Sequence, residues 1–222
     1  MEGLGLKLGA ARQIRYLSPM IDKRELRAAM RAHRKRLASE NPRASEQVVL
    51  NLPELLETMF ETDVSFAEAQ KHRRFTAAVY KAQGSELDAM PLALALQARD
   101  IELALPVAVA RDEPLEFRRW RPSDPLEIDA AGVSAPLPLA EVVSPDVIFV
   151  PCLAIDDHGF RLGQGGGYYD RTLRALRSTK PLPWFIGLCY VGQLVQDLPN
   201  ELHDEKLHGV LTEQFASTIW PK

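Results

Sequence analysis

The sequence has only two cysteines among its 222 residues. Cys152 and Cys189 lie far apart, each inside or beside an apolar run typical of a strand. Two such residues provide neither a disulfide framework nor the ligand cluster of a structural zinc site, and they predict reduced, buried thiols in a cytoplasmic protein. The chain also lacks a Ser–His or Cys–His arrangement with a convincing spacing for nucleophilic catalysis.

Long apolar runs and a strong charge imbalance are absent as well. No run approaches the ~18 residues that a membrane-spanning helix needs, and a net charge of −3 argues against a nucleic-acid-binding protein. Hydrophobic residues at 46% and charged residues at 26% are typical of a globular protein. We expect one domain over residues 21–222 after a flexible extension over residues 1–20, with no membrane or nucleic-acid partner, as a monomer or weak homo-oligomer.

Glycine, by contrast, is concentrated in one stretch: five of the thirteen glycines lie in residues 159–167. An apolar run at residues 147–150, ended by Pro151, precedes it and predicts a buried strand. Tyr169 and Leu173 follow it at helical spacing. A glycine loop between a strand and a helix presents backbone amides and the positive end of the helix dipole to an anion. The stretch therefore predicts a phosphate site.

Charged side chains flank these glycines. They favour phosphate binding over the alternative interpretation, in which the glycines form a turn that only connects a strand to a helix. Arg161 and Arg171 add positive charge, and Asp170, in the first turn of the predicted helix, could hold Mg²⁺ directly or through water. The stretch is not a Walker loop, because no Gly-Lys-Ser/Thr sequence follows. It also lacks the third glycine of the Rossmann Gly-x-Gly-x-x-Gly pattern.

A second concentration of charge lies near the start of the predicted domain, where Asp22 and Glu25 resemble a capping box. The helix that they predict carries many cations and one internal acid. These cations are Lys23, Arg24, Arg27, Arg31, Arg34, Lys35 and Arg36. We interpret them as a patch for a polyanion, with a solvated basic face as the alternative. An RNA-binding helix would need interleaved aromatic residues, and this one has none.

The rest of the chain alternates predicted strands and helices. Strands are expected at residues 75–80, 101–109, 147–151, 184–190 and 210–212, and helices at 44–60, 87–99 and 168–176. Pro53 is expected to bend or split the first of these helices, and residues 111–138 to form a hairpin or an irregular excursion. The alternation predicts an α/β fold, a single three-layer α/β/α domain with a mostly parallel, Rossmann-like sheet. Because ligands bind at the carboxyl ends of strands in such sheets, Glu86 and the glycine loop could share one crevice.

The glycine stretch is specific enough to compare with known families. It reads Gly159-Phe160-Arg161-Leu162-Gly163-Gln164-Gly165-Gly166-Gly167-Tyr168-Tyr169-Asp170-Arg171. In this form it resembles the signature of the 5-formyltetrahydrofolate cyclo-ligase family. Weaker likenesses lie elsewhere in the chain, in the same order as in the family. They are Lys23-Arg24-x-Leu26-Arg27, Ser85-Glu86, Pro199, His203-Asp204 and Thr212-Glu213. The resemblance covers about residues 22–213.

The resemblance implies an enzyme that closes 5-formyltetrahydrofolate to 5,10-methenyltetrahydrofolate with ATP, releasing ADP and phosphate. The γ-phosphoryl group would pass to the formyl oxygen, and phosphate would leave this imidate phosphate as N10 attacks. Mg²⁺ is the implied cofactor. Ala135, Gln164 and Gly166 depart from the residues that the family often has. These departures leave a catalytically silent folate- or nucleotide-binding regulator as the alternative.

The same resemblance assigns roles to individual residues. Lys23, Arg27 and Arg161 are the expected catalytic residues, which neutralise charge on the phosphoryl group, and Asp170 and Asp204 are the expected metal ligands. The expected ATP-binding residues are Lys23, Arg24, Arg27, Arg161, Leu162, Gly163, Gln164, Gly165, Gly166, Gly167, Tyr168 and Tyr169. The expected substrate-binding residues are Lys81, Glu86, Gln164, Gly165, Gly166, Gly167 and Tyr168. Glu86 would hydrogen-bond the pterin, whereas Trp120 is expected to pack rather than to stack on the folate.

Overall fold

The computed structural model describes residues 22–63, 68, 74–179 and 181–218, so the extension expected over residues 1–20 lies outside the described residues. The helices with defined bounds are α1 (Lys23–Glu40), α2 (Ala44–Thr62), α3 (Met90–Gln97) and α4 (Tyr168–Leu176), with a 3₁₀ turn at Val191–Gln193. Within these residues no helix is long and apolar enough to cross a membrane.

The strands are short and are distributed over three sheets. They are β1 (Thr76–Ala78), β2 (Glu102–Val107), β3 (Glu116–Arg119), β4 (Leu126–Ile128), β5 (Ser134–Pro136), β6 (Val147–Pro151), β7 (Ala154–Asp156), β8 (Arg161–Leu162), β9 (Trp184–Leu188), β10 (Leu194–Val195), β11 (Gly209–Leu211) and β12 (Ala216–Thr218).

The central sheet has the strand order β12-β11-β9-β6-β1-β2-β3. Its inner strands are parallel, whereas the edge strands β12 and β3 run antiparallel to their neighbours. The chain places β2 on one side of β1 and then returns to place β6, β9 and β11 on the other side. The strand order therefore reverses between β1 and β6. In open α/β sheets, a ligand crevice lies beyond the carboxyl ends of the strands at such a reversal.

Helices cover both faces of this sheet. Successive residues of a strand point to opposite faces, so each buried strand contributes apolar side chains to both layers of helices. Phe149 and Ile186 belong to the apolar cluster that α2 and α3 complete on one face. Ile148 and Phe185 belong to the cluster on the other face, which includes Leu173 of α4. The arrangement confirms the predicted three-layer, mostly parallel α/β fold.

Helix α1 packs on a smaller sheet of the order β10-β7-β8. Its N-cap residue is Asp22, whose Oδ1 accepts the Arg24 amide at 3.2 Å. Leu26 and Met30, one turn apart, form a buried cluster with residues that include Leu162 of β8. The apolar stripe of α1 therefore fixes this helix beside the segment that leads into the glycine loop.

Several local expectations were wrong. Of the two outcomes expected at Pro53, the split is wrong, because Pro53 lies inside a continuous α2. Because Pro53 is exposed, water can satisfy the carbonyl group that its missing amide leaves unpaired. The glycine loop follows β8 rather than β6, since the hairpin of β7 and β8 lies between them. Strands of two or three residues, such as β8, are too short to give a periodic signal.

The segment expected to be a hairpin or an irregular excursion contains a hairpin and also a strand of the central sheet, which was not expected. Strands β4 and β5 form the hairpin, and β3 joins the edge of the central sheet beside β2. The final edge strand, β12, was not predicted. Helix α3 begins at Met90, later than expected, with Pro91 in its first turn, a position where a missing amide removes no helical hydrogen bond.

Candidate active site

A cavity of about 680 Å³ opens where the strand order of the central sheet reverses. Tyr80 and Lys81, which follow β1, and Pro151 and Cys152, at and just after the end of β6, line it. Parallel strands bring their carboxyl ends to the same edge of a sheet, so the topology alone places these residues together.

The glycine loop, residues 163–167, forms part of the cavity wall between β8 and α4. Gly165 and Gly167 have φ angles of 102° and 67°, in a region that L side chains rarely adopt. Gly167 is the N-cap residue of α4, and no side chain caps this helix. The first turn of α4 therefore offers uncapped amides and a positive dipole end beside the cavity, an arrangement that suits an anion.

Arg171 folds back over this loop and holds it. Its Nη2 donates a hydrogen bond to the Gly166 carbonyl at 3.0 Å, and its guanidinium carbon lies 5.1 Å from the centre of the Tyr168 ring. A Cβ atom on Gly167 would lie only 2.6 Å from Arg171 Nη1. The backbone conformation therefore favours glycine at this position, and a larger residue would also displace the guanidinium.

Helix α1 brings cations to the same cavity. Lys23 Nζ lies 2.6 Å from Asp204 Oδ2 and 3.1 Å from Glu201 Oε1. Arg27 Nε donates to the Gly163 carbonyl at 3.1 Å, and Arg31 Nη1 donates to Gln164 Oε1 at 3.3 Å. The helix therefore connects the glycine loop with the segment around Asp204, and its cations lie where they can exchange these partners for an anionic ligand.

Arg161 is paired inside the protein. Its Nη2 lies 2.9 Å from Asp170 Oδ1, and its side chain is only 3% exposed. Its Nη1 donates to the Glu205 carbonyl at 3.1 Å, while the Glu205 amide donates to Asp170 Oδ1 at 3.3 Å. Arg161 lines the cavity, and its described contacts fix the orientation of the Asp170 carboxylate.

Glu86 is a buried carboxylate in the cavity wall, with 8% of its side chain exposed. Its Oε1 lies 3.3 Å from Arg34 Nη1, and its Oε2 accepts the Gln83 amide at 2.9 Å. Each oxygen of the Glu86 carboxylate therefore accepts a hydrogen bond from a protein donor.

The aromatic residues near the site divide into two kinds. Tyr169 packs against the apolar cluster of one sheet face, and burial, helped by the negative charge of Glu86, raises the pKa of its hydroxyl well above the ordinary value. Tyr168 instead packs on Arg171. Trp120 is only 2% exposed, with Lys81 Nζ 5.7 Å from its ring centre, which confirms the packing interpretation for Trp120.

The structure gathers the predicted site residues around this one cavity, with a single exception. Those that line it are Lys23, Arg27, Lys81, Glu86, Arg161, Leu162, Gly163, Gln164, Gly165, Gly166, Gly167, Tyr168, Tyr169, Asp170 and Asp204. Arg24, expected to bind ATP, is exposed and does not line the cavity. One residue along a helix turns the side chain by about 100°, so Arg24 cannot share the direction of Lys23.

Three departures from the family pattern also have defined places. Ala135 is buried and does not itself line the cavity, whereas its neighbour Ser134 does. The side-chain oxygen of Gln164 accepts a hydrogen bond from Arg31. At Gly166 a Cβ atom would lie 3.1 Å from the Tyr168 ring, which shows that the missing side chain leaves room for this tyrosine.

Some residues of the cavity were not singled out from the sequence. Asp129, Gly132 and Ser134, in and beside the turn of the β4–β5 hairpin, line it, and nothing in their local pattern indicated this. Arg34 does not line the cavity, but it pairs with Glu86, which does; from the sequence it was only one cation of a charged helix. Its spacing of four residues after Met30, on the apolar stripe, was the signal that could have identified it as buried.

The carboxylates at the site fit a magnesium–nucleotide complex better than a free metal ion. The described part of the chain contains no group of three or more His, Cys, Asp or Glu side chains that could hold a metal alone. Asp170 and Asp204 both line the cavity. Mg²⁺ usually takes one or two carboxylates and completes its shell with water and phosphate oxygens, so this donor set fits an ion that arrives with a phosphate ligand.

Comparisons with known proteins identify the family to which this chain is similar. The model of the 5-formyltetrahydrofolate cyclo-ligase family matches residues 19–213. The 5-formyltetrahydrofolate cyclo-ligase of Escherichia coli K12 is 34% identical over 153 residues, which cover 65% of this chain and 80% of that protein. The cyclo-ligase of Haemophilus influenzae is 38% identical over 104 residues, 44% of this chain and 53% of that protein, so this match spans about half of that relative.

A solved structure supports the same conclusion. The structure of Aquifex aeolicus 5,10-methenyltetrahydrofolate synthetase superposes with a TM-score of 0.63 at 29% identity, covering 89% of this chain and 92% of that chain. The family model spans most of the sequence, the Escherichia coli relative is similar to it in sequence, and the Aquifex aeolicus structure is similar to it in fold. The chain therefore belongs to the 5-formyltetrahydrofolate cyclo-ligase family.

Proposed function

We propose that this protein catalyses the ATP-dependent closure of 5-formyltetrahydrofolate to 5,10-methenyltetrahydrofolate, with release of ADP and phosphate. The observation that carries the proposal is the single cavity at the strand reversal, where the glycine loop, the cations of α1 and the buried Glu86 carboxylate meet. A cavity of this size accommodates small ligands. Its cations and glycine-loop amides suit a polyphosphate, and its buried carboxylate suits a ring edge that is rich in N–H groups.

The chemistry requires an activated oxygen. The formyl group on N5 is an amide, and its oxygen is a poor leaving group. Transfer of the γ-phosphoryl group to this oxygen releases ADP and forms an imidate phosphate. N10 then attacks the formyl carbon and loses its proton, and the bond from carbon to the phosphorylated oxygen breaks to release phosphate. The protein must therefore position the two substrates and neutralise phosphoryl charge.

Lys23, Arg27 and the glycine loop form the phosphoryl side of the proposed site. Lys23 and Arg27 lie at the cavity with local acceptors as partners, which phosphate oxygens would replace. Cations paired with phosphate make strong charge-assisted hydrogen bonds. The uncapped first turn of α4 adds backbone donors. Arg161 supports this side by fixing Asp170.

Asp170 and Asp204 would hold Mg²⁺ together with the nucleotide phosphates, and the bound ion would neutralise charge on them. Each carboxylate has one oxygen engaged by protein donors, Asp170 Oδ1 by Arg161 and Asp204 Oδ2 by Lys23. Within the described residues, no partner is seen for the second oxygen of either carboxylate.

Glu86, Lys81 and Tyr168 form the folate side of the proposed site. Glu86 would accept the N–H groups of the pterin edge. Lys81 and Tyr168 line the same cavity, and Tyr168 presents a ring that can form part of the folate wall. We expect these residues to set the affinity for folate rather than that for ATP.

The test is a direct assay. Purified protein is mixed with 5-formyltetrahydrofolate and MgATP, and the methenyl product is followed by its near-ultraviolet absorbance, with parallel reactions that lack ATP. The variants are Lys23→Ala and Asp170→Ala. Lys35→Ala is the matched control, because Lys35 is exposed on the same helix and does not line the cavity.

The proposal expects ATP-dependent product from the wild type and the control, and none from the two site variants in folded form. Saturable binding of folate and ATP without product would favour the silent regulator. Absence of binding would show that the chain retains only the family fold.

A further inference from the structure

One cation of α1 is buried while most of the others are exposed. The side chain of Arg34 is only 5% exposed, because it continues the stripe of Leu26 and Met30 that faces the interior. A buried guanidinium is costly unless it is paired and hydrogen-bonded. Its partners therefore indicate what it does.

These partners lie in the segments that follow the two strands between which the sheet order reverses. Arg34 Nη1 lies 3.3 Å from Glu86 Oε1 and donates to the Cys152 carbonyl, also at 3.3 Å. Arg34 Nε donates to Ser85 Oγ at 3.3 Å. Ser85 and Glu86 belong to the segment after β1, and Cys152 follows β6. Arg34 thus connects the two sides of the cavity.

The pairing leaves Glu86 with a defined set of free acceptor sites. A carboxylate offers about two lone-pair sites on each oxygen. Arg34 occupies one on Oε1, and the Gln83 amide occupies one on Oε2. One site on each oxygen remains, which suits a ligand edge with two neighbouring N–H donors. The nearby guanidinium also offsets part of the cost of burying this carboxylate.

We propose that Arg34 is a positioning residue that holds Glu86 as a two-oxygen acceptor for the pterin edge and so sets the affinity for folate but not that for ATP. The proposal rests on the proposed function, because it takes folate as the ligand of Glu86. Arg34 acts through Glu86 and not by touching the reacting atoms.

The experiment measures KM for both substrates, kcat, and calorimetric binding of 5-formyltetrahydrofolate without ATP. The variants are Arg34→Gln, Arg34→Lys, Glu86→Gln and the double variant Arg34→Gln/Glu86→Gln, with Lys35→Gln as the control from the exposed side of α1. The double variant leaves no uncompensated buried charge, so it tests the proposal even where Arg34→Gln alone fails to fold.

We expect Arg34→Gln to raise KM for folate about tenfold or more, equivalent to about 1.4 kcal/mol, with KM for ATP within about twofold of the wild-type value. Arg34→Lys keeps the charge but not the fork of donors, and should retain part of the affinity. In the Glu86→Gln background, the Arg34→Gln change should cause no further loss of folate binding.

A rise in both KM values together, or a loss of folate binding that persists in the Glu86→Gln background, would show that Arg34 only packs α1, and would overturn the proposal. Wild-type folate affinity in Arg34→Gln would overturn it too. A wild-type protein that neither binds nor converts folate would overturn the proposed function itself, and this result is distinct from an active wild type with an unaffected Arg34 variant.

Discussion

Substitution of Gly167 by alanine tests whether the glycine loop must keep its described conformation. At a φ of 67°, an L residue costs about 1–2 kcal/mol relative to glycine. The new Cβ would also lie 2.6 Å from Arg171 Nη1, so the guanidinium must move and lose its bond to the Gly166 carbonyl, at about 1 kcal/mol. The sum is about 2–3 kcal/mol.

Thermal unfolding and steady-state kinetics measure this effect. A protein of this size loses about 2–4 °C in Tm per kcal/mol, so Gly167→Ala should lower Tm by about 4–12 °C. It should also raise KM for ATP, because the strain relaxes through the loop and the first turn of α4. The matched control is Gly163→Ala, since Gly163 has no positive φ and a Cβ there meets no atom within 4 Å.

We expect Gly163→Ala to change Tm by less than about 2 °C. Equal shifts in the two variants would show that any added methyl group in this loop has the same cost. Wild-type Tm and ATP affinity in Gly167→Ala would refute the reasoning, because neither the backbone conformation nor the Arg171 contact would then matter.

Three further predictions follow from single residues. Lys23→Met should lower kcat/KM for ATP about a hundredfold, or ~2.7 kcal/mol. It should change Tm little, since the ion pairs of Lys23 lie at the cavity surface. Unchanged kinetics would exclude Lys23 from the phosphoryl side of the site. Cys189 should react with a disulfide reagent only after unfolding, because it is buried and because a hydrogen bond with Cys152 and burial raise its pKa. Labelling of Cys189 within seconds in native protein would contradict this. Burial raises the pKa of Glu213, so ionisation of this carboxyl group lowers the free energy of unfolding as pH rises through that pKa. In urea unfolding, Glu213→Gln should therefore stabilise the protein at pH ~7.5 but not below pH ~4. An equal gain at both pH values would contradict this sign.

The central part of the candidate site could be predicted from the sequence because its signals are local. The bounds of β6 and α4 agree with the expected strand and helix. Glycines between a strand and a helix mark a backbone that needs positive φ, and two of these glycines have it. The flanking arginines, the aspartate and the cations of α1 were visible as residue types at a characteristic spacing.

The roles of individual charges could not be predicted in the same way. Arg161 lines the cavity, and nothing in the sequence indicated that its partners there would be Asp170 and the Glu205 carbonyl. Arg34 carries the same charge as its neighbours on α1 but is buried against Glu86. The difference depends on which side of α1 meets the small sheet, and that sheet consists of strands too short to be recognised from their pattern.

By itself, the sequence determined the alternation of strands and helices, the glycine loop and the set of charged residues from which a phosphate and folate site can be built. These features depend on backbone conformational preference and periodicity over a few neighbouring residues. Only the tertiary structure decided that β1 and β6 are neighbours, that Lys23 meets Asp204 across 181 positions of the chain, and that Arg34 connects the two sides of the cavity. Such contacts join residues remote in sequence, and only the packing of the whole chain brings them together.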